Sequence, residues 1–400
     1  MHQVSHDNIF LNKSLERVIK TDSFTREMYV LHEKLLKHGS AQTYKLGLLR
    51  SDYMTDEKAN LHKLRQIEVN VIAAGFAIMG PKLSRFHHYI MSKYRPDGLD
   101  RLPHNECDVN FAKAFIATWD FYNNSRAVIL FVIEDRTINL SDQRSMEFLV
   151  TKMRPDIVVI RKSLTQLVEC AELKDNQLLI IDKKYEVALV YFRNGYDPSH
   201  YVNSDYWDLR YLIEKSKAIK CPSISYQLAG TKIVQEKLSE PGSLERFLGN
   251  RSCQRLRDTF AGMWSLEFSE TGNRMTNTLI QNYDDYVLKP QREGGGNNLY
   301  GYNIANFLTS IKDSDSRESY IAMERIKPIV TKNLLVRPNI VDYDLRNLDS
   351  ELGIFGTLLG NKNEILWNKE SGHVLRSKLV EFNEGGVSSG QGVIDSPYLY

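Results

Sequence analysis

Cysteine is scarce and scattered. Cys107, Cys170, Cys221 and Cys253 include no CxxC pair, so neither a zinc ligand set nor a disulfide framework is available, and a reducing, cytoplasmic setting is expected. No HExxH is present, and nothing supports a Ser–His–Asp or Cys–His nucleophile; His87-His88 reads as a helix-surface pair. Charge of one sign is also lacking. Lys and Arg number 52 against 50 Asp and Glu, a net charge of +2 with no basic stripe, which argues against a dedicated nucleic-acid binder. The longest nearly apolar run, Val71–Gly80, is far short of the roughly 20 residues a bilayer span needs, so no membrane partner is expected. The opening MHQVSHDNIF has no basic stretch leading into an apolar one, hence no legible signal peptide; a leader already removed would make the protein secreted instead. Four sequons, at Asn12, Asn123, Asn139 and Asn250, are no more than chance supplies in 400 residues. No internal repeat or low-complexity tract appears.

The most informative stretch is Tyr286–Gly301, YVLKPQREGGGNNLYG. An apolar run suited to a buried strand leads into Lys289, Arg292 and Glu293, then Gly294, Gly295 and Gly296, then Asn297 and Asn298. Consecutive glycines let backbone N–H groups approach an anion without a Cβ in the way. A lysine before them suits a phosphate, and a carboxylate suits the Mg²⁺ that accompanies a nucleotide. A flexible glycine turn between charged surface residues is the alternative. It is not a P-loop, since no Gly-Lys-Ser/Thr opens a helix.

Along the chain, a helical pattern runs from about Ser14 to His38 and stops at Gly39. From Ala127 the texture becomes strand–helix alternation. Ala127–Ile133 and Ile157–Ile160 read as buried strands with a helix over Asp142–Lys152 between them. A hairpin then turns at Asp182-Lys183-Lys184 into VALVYF, and a helix is expected over Tyr206–Lys220. Beyond the loop-prone Ser239–Arg251, the strand YVLK and helices over Asn303–Lys312 and Ser316–Met323 predict a small α+β lobe around the triple glycine. Core-like sequence returns at Glu351–Phe355.

Four further places look chemical. Glu68 and Asn70 alternate on IEVN, so in a strand both face one side, which suits a hard cation and equally the solvated face of an edge strand. Arg193-Asn194-Gly195-Tyr196 ends a strand at a glycine turn, a common ligand position and also a plain turn. Lys232 follows Gly230-Thr231, where a phosphate contact competes with a solvated surface charge. Arg376-Ser377-Lys378 precedes EFNEGGVSSG, a second candidate anion-covering loop or a disordered tail. From the residues alone the reading reaches an enzyme that uses a Mg-nucleotide and stops there.

Taken together, RSDYM at Arg50–Met54, QIEVN at Gln66–Asn70, YFRNGY at Tyr191–Tyr196, KCPSISYQLAGTK at Lys220–Lys232, VLKPQREGGGNNLYG, MERI at Met323–Ile326, ELGIFG at Glu351–Gly356, GHVLRSK and EGGVSSG closely resemble eukaryotic-type glutathione synthetase, an ATP-grasp ligase. The matches span nearly the whole chain from Arg50, and the N-terminus is shorter than usual for that family. The resemblance implies an α/β (α+β) ATP-grasp fold. Its divisions would be a core part at 1–126, an inserted α/β substrate-binding domain at 127–231, and a C-terminal core at 232–400 with a glycine-loop-bearing lid at about 263–346. It implies ATP and Mg²⁺ as cofactors, small-molecule substrates (γ-glutamylcysteine and glycine, or analogues) and a homodimer. ATP would phosphorylate the cysteinyl carboxylate, and the glycine amine would attack the acyl phosphate. Arg50 and Arg376 match the arginines near the reacting carboxylates; Glu68, Asn70 and Glu293 match magnesium ligands. Nucleotide contacts are implied for Lys232, Lys289, Glu293, Gly294, Gly295, Gly296, Asn297, Asn298, Tyr300, Met323, Glu324, Arg325, Ile326, Glu351, Lys378 and Glu384.

The substrate half departs from the family pattern. Two serines are usual where this chain has Ala73 and Gly75, and a glutamate meeting the γ-glutamyl moiety is replaced by Thr137. Asn139, Gln143, Arg193, Gly195 and Tyr196 match, whereas Asn194 stands in place of an aspartate. The loop usually reading GGVAAG carries Ser388 and Ser389 after Val387. A hydrogen bond to a charged group is worth roughly 1.5–3 kcal/mol, so the lost glutamate alone corresponds to about 10- to 100-fold in affinity. A ligase with a changed donor or acceptor is therefore carried beside glutathione synthesis, and a non-catalytic nucleotide binder remains a third reading.

Overall fold

The computed structural model describes residues 1–57, 63–137, 139–337, 344–387 and 390–399. They divide into two compact units, Met1–His32 with Asp52–Val69 and Ile224–Thr331, and Glu33–Ser51 with Asn70–Ser223 and Lys332–Tyr400.

The first unit contains a four-stranded sheet in the order Leu299–Tyr300, Tyr286–Pro290, Tyr320–Glu324, Met263–Ser265, antiparallel throughout. Helices Glu270–Gln281 and Tyr302–Ile311 carry apolar residues one turn apart. Met275 and Leu279 on one, and Ile304 and Leu308 on the other, bury against Leu288 and Ala322 of the sheet. The helical segment expected over Ser316–Met323 is instead a single 3₁₀ turn, Asp315–Ser319, followed by the strand Tyr320–Glu324. The YIAME stretch, buried at its three central residues, pairs residue for residue with Tyr286–Pro290, and a full partner strand outweighs its helix propensity. The expected helix from Ser14 is also interrupted. Asn8–Leu15, Val18–Thr21 and Ser23–His38 are separate helices, because Asp22 turns its carboxylate onto Thr25 N at 2.7 Å and starts a new one.

The second unit is built on a twisted sheet in the order Val159–Ser163, Val128–Ile133, Tyr185–Phe192, Ile219–Cys221, Lys45–Asp56, Arg346–Gly360, Ile365–Leu379, Gly392–Asp395. Its first four strands run parallel, with Ile129 opposite both Val159 and Leu189. VILFVI has no polar face because a parallel strand is covered on both sides. Phe131 packs with Phe115 and Tyr191 on one face, while Leu130 and Val132 join Leu167, Val190 and Ile213 on the other. The expected hairpin is present, Ile181 facing Tyr185. The helix expected to reach Lys220 ends at Lys215, where Ser216 Oγ donates back to Ile213 O and the chain leaves to pair Ile219 with Leu189.

Candidate functional site

In the first unit four of the expected residues meet. Lys232, at the first turn of helix Lys232–Ser239, places its ammonium 3.0 Å from Glu68 Oε2 and 3.5 Å from Glu293 Oε1. Lys289, on Tyr286–Pro290, donates to Ile67 O at 3.0 Å and stands 3.9 Å from Glu68 Oε2. Both lysines are buried, 4% and 3% exposed, so neither is the solvated surface charge that an isolated lysine suggests. Burial by itself would lower the Lys232 ammonium, but the Glu293 and Glu68 carboxylates outweigh it and hold the group above the ordinary lysine value.

Two glutamines that the motifs did not mark hold this arrangement. Gln235 accepts from Val69 N at 2.8 Å and donates to Gly230 O at 2.8 Å, bracing the strand beside Glu68. Gln291 accepts from Ile233 N at 3.0 Å, supplying the first turn of the Lys232 helix with a partner, and donates to Ser319 O. Arg292 turns away to Asp22 at 2.6 Å, so it anchors the loop's base. Gly294, Gly295 and Gly296 all have left-handed φ, 93°, 70° and 76°. A Cβ at all three would cost about 1–2 kcal/mol per residue, which explains why only glycine serves there. Asn297 closes the turn through Gly295 O and Glu293 O, and Asn298 Nδ2 donates to the Tyr300 hydroxyl. Met323 is buried opposite Val287 on the neighbouring strand, Glu324 N donates to Gly262 O, and the Arg325 guanidinium lies over the Tyr300 ring. Ile326 follows directly after them.

Whether these residues fit Mg²⁺ is tested by the ammonium. Two carboxylates converge on one cation, the arrangement a hard divalent ion with oxygen ligands also asks for, and Asn70 shares a face of the strand Lys63–Asn70 with Glu68. Among the described residues no three His, Cys, Asp or Glu side chains form a metal cluster, so within the first unit the fit rests on two carboxylates.

The second unit brings together two groups. On the long antiparallel pair, Glu351 faces Arg376 and forms an ion pair with it, and Asp349 faces Lys378 at 2.7 Å. Lys378 also donates to Phe382 O, and Gly385 lies against its aliphatic stem; Glu384 is half-buried beside it, and Val387 O accepts from Gly390 N. Ser388 and Ser389 lie outside the described residues.

The other group surrounds the loop 73–79. Asp142 accepts from Phe76 N and Ile78 N at 2.9 and 3.0 Å, fixing a backbone in which Ala73 and Phe76 take left-handed φ. Arg50 donates to Gly75 O and Arg193 to Ala74 O. Gly75 lies beside Asn139 Nδ2 with ordinary contact space for a Cβ. Thr137 Oγ1 accepts from Asn139 N and from Gln143 Nε2, both at 3.2 Å. Asn194 Nδ2 donates to Ile133 O, a bond an aspartate could not make, and its Oδ1 accepts from Gly195 N at 2.8 Å. Burial and Glu134 raise the Tyr196 hydroxyl, whereas burial lowers the His200 imidazole. Asp142 and Glu134 were not among the expected residues. A carboxylate in the first turn of a helix, and one directly after a fully apolar strand, are the signals that could have found them.

Residues 1–399 match the family model described as eukaryotic glutathione synthase, ATP binding domain. The chain is 40% identical over 403 residues to the chloroplastic glutathione synthetase of Solanum lycopersicum, covering 99% of this chain and 72% of that protein. It is likewise 40% identical to the glutathione synthetase of Homo sapiens, covering 99% and 83%. Among solved structures, a glutathione synthetase-like effector from Globodera pallida in apo form superposes with a TM-score of 0.75 at 26% identity, covering 98% of this chain and 86% of that one.

Proposed function

The chain belongs to the eukaryotic glutathione synthase family and is an ATP-dependent ligase of that type, and on this premise we propose that it joins γ-glutamylcysteine to glycine. The observation that carries the reading is the convergence of Glu68 and Glu293 on a cation beside a triple-glycine turn with two buried lysines. Lys232 and Lys289 supply fixed positive charge for the phosphates, and the glycine turn offers backbone N–H groups. Glu68, Asn70 and Glu293 would hold Mg²⁺, which supplies charge neutralisation on the transferring phosphoryl group. Arg50 and Arg376, each already oriented by a protein acceptor, hold carboxylate oxygens of the reacting groups. In this reading residues 127–231 receive the donor, residues at about 263–346 act as the lid that keeps water from the acyl phosphate, and the remaining core completes the nucleotide site. A homodimer in the cytoplasm is the assembly and setting we assign.

A ligase with an altered donor is the second reading, favoured by Ala73, Gly75 and Thr137. Phosphate release from ATP separates the two. Turnover with γ-glutamylcysteine plus glycine, abolished in Glu293→Ala, is expected. Turnover only with other carboxylates or amines would select the second reading, and wild-type activity in Glu293→Ala would overturn the metal assignment.

A further inference from the structure

Glu134 is the first residue beyond the strand Val128–Ile133, and Arg193 is the first beyond its parallel neighbour Tyr185–Phe192, with Val132 opposite Phe192. Carboxyl ends of adjacent parallel strands are where open α/β sheets receive ligands. There Glu134 Oε2 accepts from Gln143 Nε2 at 3.1 Å, and Gln143 Oε1 accepts from Arg161 Nη2 at 3.2 Å, so one amide links a carboxylate to a guanidinium.

Both guanidinium groups retain buried donors. Arg193 is 5% exposed; its Nη1 donates to Ala74 O and the Tyr191 hydroxyl, while Nε finds no acceptor among the described residues. Arg161 Nη1 likewise has no hydrogen-bond acceptor, the nearest Glu147 oxygen being 3.9 Å away. A buried N–H left unmatched is destabilising, so the two together mark a place made for an anion from outside the chain. Glu134 is half-buried and close enough to act on the titration of Arg161, Arg193, Tyr196 and His200. Thr137, by contrast, has its hydroxyl engaged by Asn139 N and Gln143 Nε2 within its own loop. Two donors for an anion beside one carboxylate for a cation is the complement of an α-amino-acid head group.

We propose that Glu134 is the residue that receives the ammonium of the donor's α-amino-acid head group, with Arg193 and Arg161 taking its carboxylate. The inference rests on the reading that this ligase takes a γ-glutamyl donor. The carboxylate missing at position 137 is then re-sited three residues earlier, and Thr137 is a positioning residue that shapes the loop.

Equilibrium binding to the full chain by titration calorimetry tests this, with γ-glutamylcysteine and with N-glutarylcysteine, which lacks only the α-amino group. Wild type is expected to prefer γ-glutamylcysteine. Glu134→Gln should weaken that compound by about 10- to 100-fold and change N-glutarylcysteine by less than about 3-fold. Thr137→Ala should keep the preference. Unchanged Mg-ATP binding and melting temperature in Glu134→Gln establish that it is folded. Equal losses for both compounds, no loss for either, or no binding of either to wild type would overturn the proposal. Turnover is read separately: a Glu134-dependent preference without glutathione formation sinks the function and keeps this site, whereas glutathione formation with no effect of Glu134→Gln sinks this site alone.

Discussion

Replacing Lys232 with methionine is the sharpest perturbation of the proposed nucleotide site. The ammonium stands 3.0 and 3.5 Å from two carboxylates and is 4% exposed. At an effective dielectric of about 20 each pair contributes roughly 5 kcal/mol of gross attraction, offset by several kcal/mol of desolvation per ion. Removing the cation leaves Glu68 and Glu293 facing one another, with Lys289 only 3.9 Å from Glu68 as residual compensation. The expected loss is about 3–5 kcal/mol in a metal-free buffer. The same change opens the cation position between the two carboxylates to a divalent ion. Magnesium at ten times its dissociation constant should restore about 1.4 kcal/mol to Lys232→Met and shift wild type less. Urea denaturation in EDTA and in millimolar MgCl₂, followed by circular dichroism, measures both effects. A variant as stable as wild type in EDTA would refute the coupling, and an identical magnesium shift in the two proteins would refute the shared cation position.

Glu236 is buried on the same helix, and desolvation pushes its carboxyl up to about 7 from the ordinary 4.5 despite the neighbouring Lys237. Its raised value means its contribution is fully present below about pH 4.5 and lost as pH rises through about 7. Glu236→Gln should therefore gain about 3 kcal/mol over wild type at pH 8 and little at pH 4; a pH-independent difference would contradict this. Gly195 has φ +93°, and a Cβ there would lie 2.9 Å from the Tyr201 hydroxyl. Gly195→Ala should destabilise the chain by about 2 kcal/mol and weaken donor binding, whereas an unchanged melting temperature would show that the turn relaxes freely.

The glycine turn with Lys289 and Glu293 was legible before any coordinates, because these residues lie in one long motif whose types permit few alternatives. Buried strands were equally legible where apolar runs were uninterrupted, as at Val128–Ile133. The segment Ser316–Met323 misled because helix and strand propensities nearly balance there, and only the partner strand Tyr286–Pro290 decides between them. Glutamines 235 and 291 carried no signal, since a bracing amide looks like any surface glutamine until its acceptors are known.

The ligase family came from the resemblance of the ordered motifs, while residue types and spacing alone determined the glycine turn and the lysines and carboxylates proposed for a Mg-nucleotide. Local chemistry suffices for these, because a left-handed glycine run and adjacent charges act over a few residues. Only the tertiary structure decided that Lys232 lies between Glu68 and Glu293, and that Glu134 places a carboxylate at the carboxyl end of the parallel strands although residue 137 is a threonine. Those juxtapositions follow from strand register and from the packing of distant segments, which set where side chains meet independently of their separation along the chain.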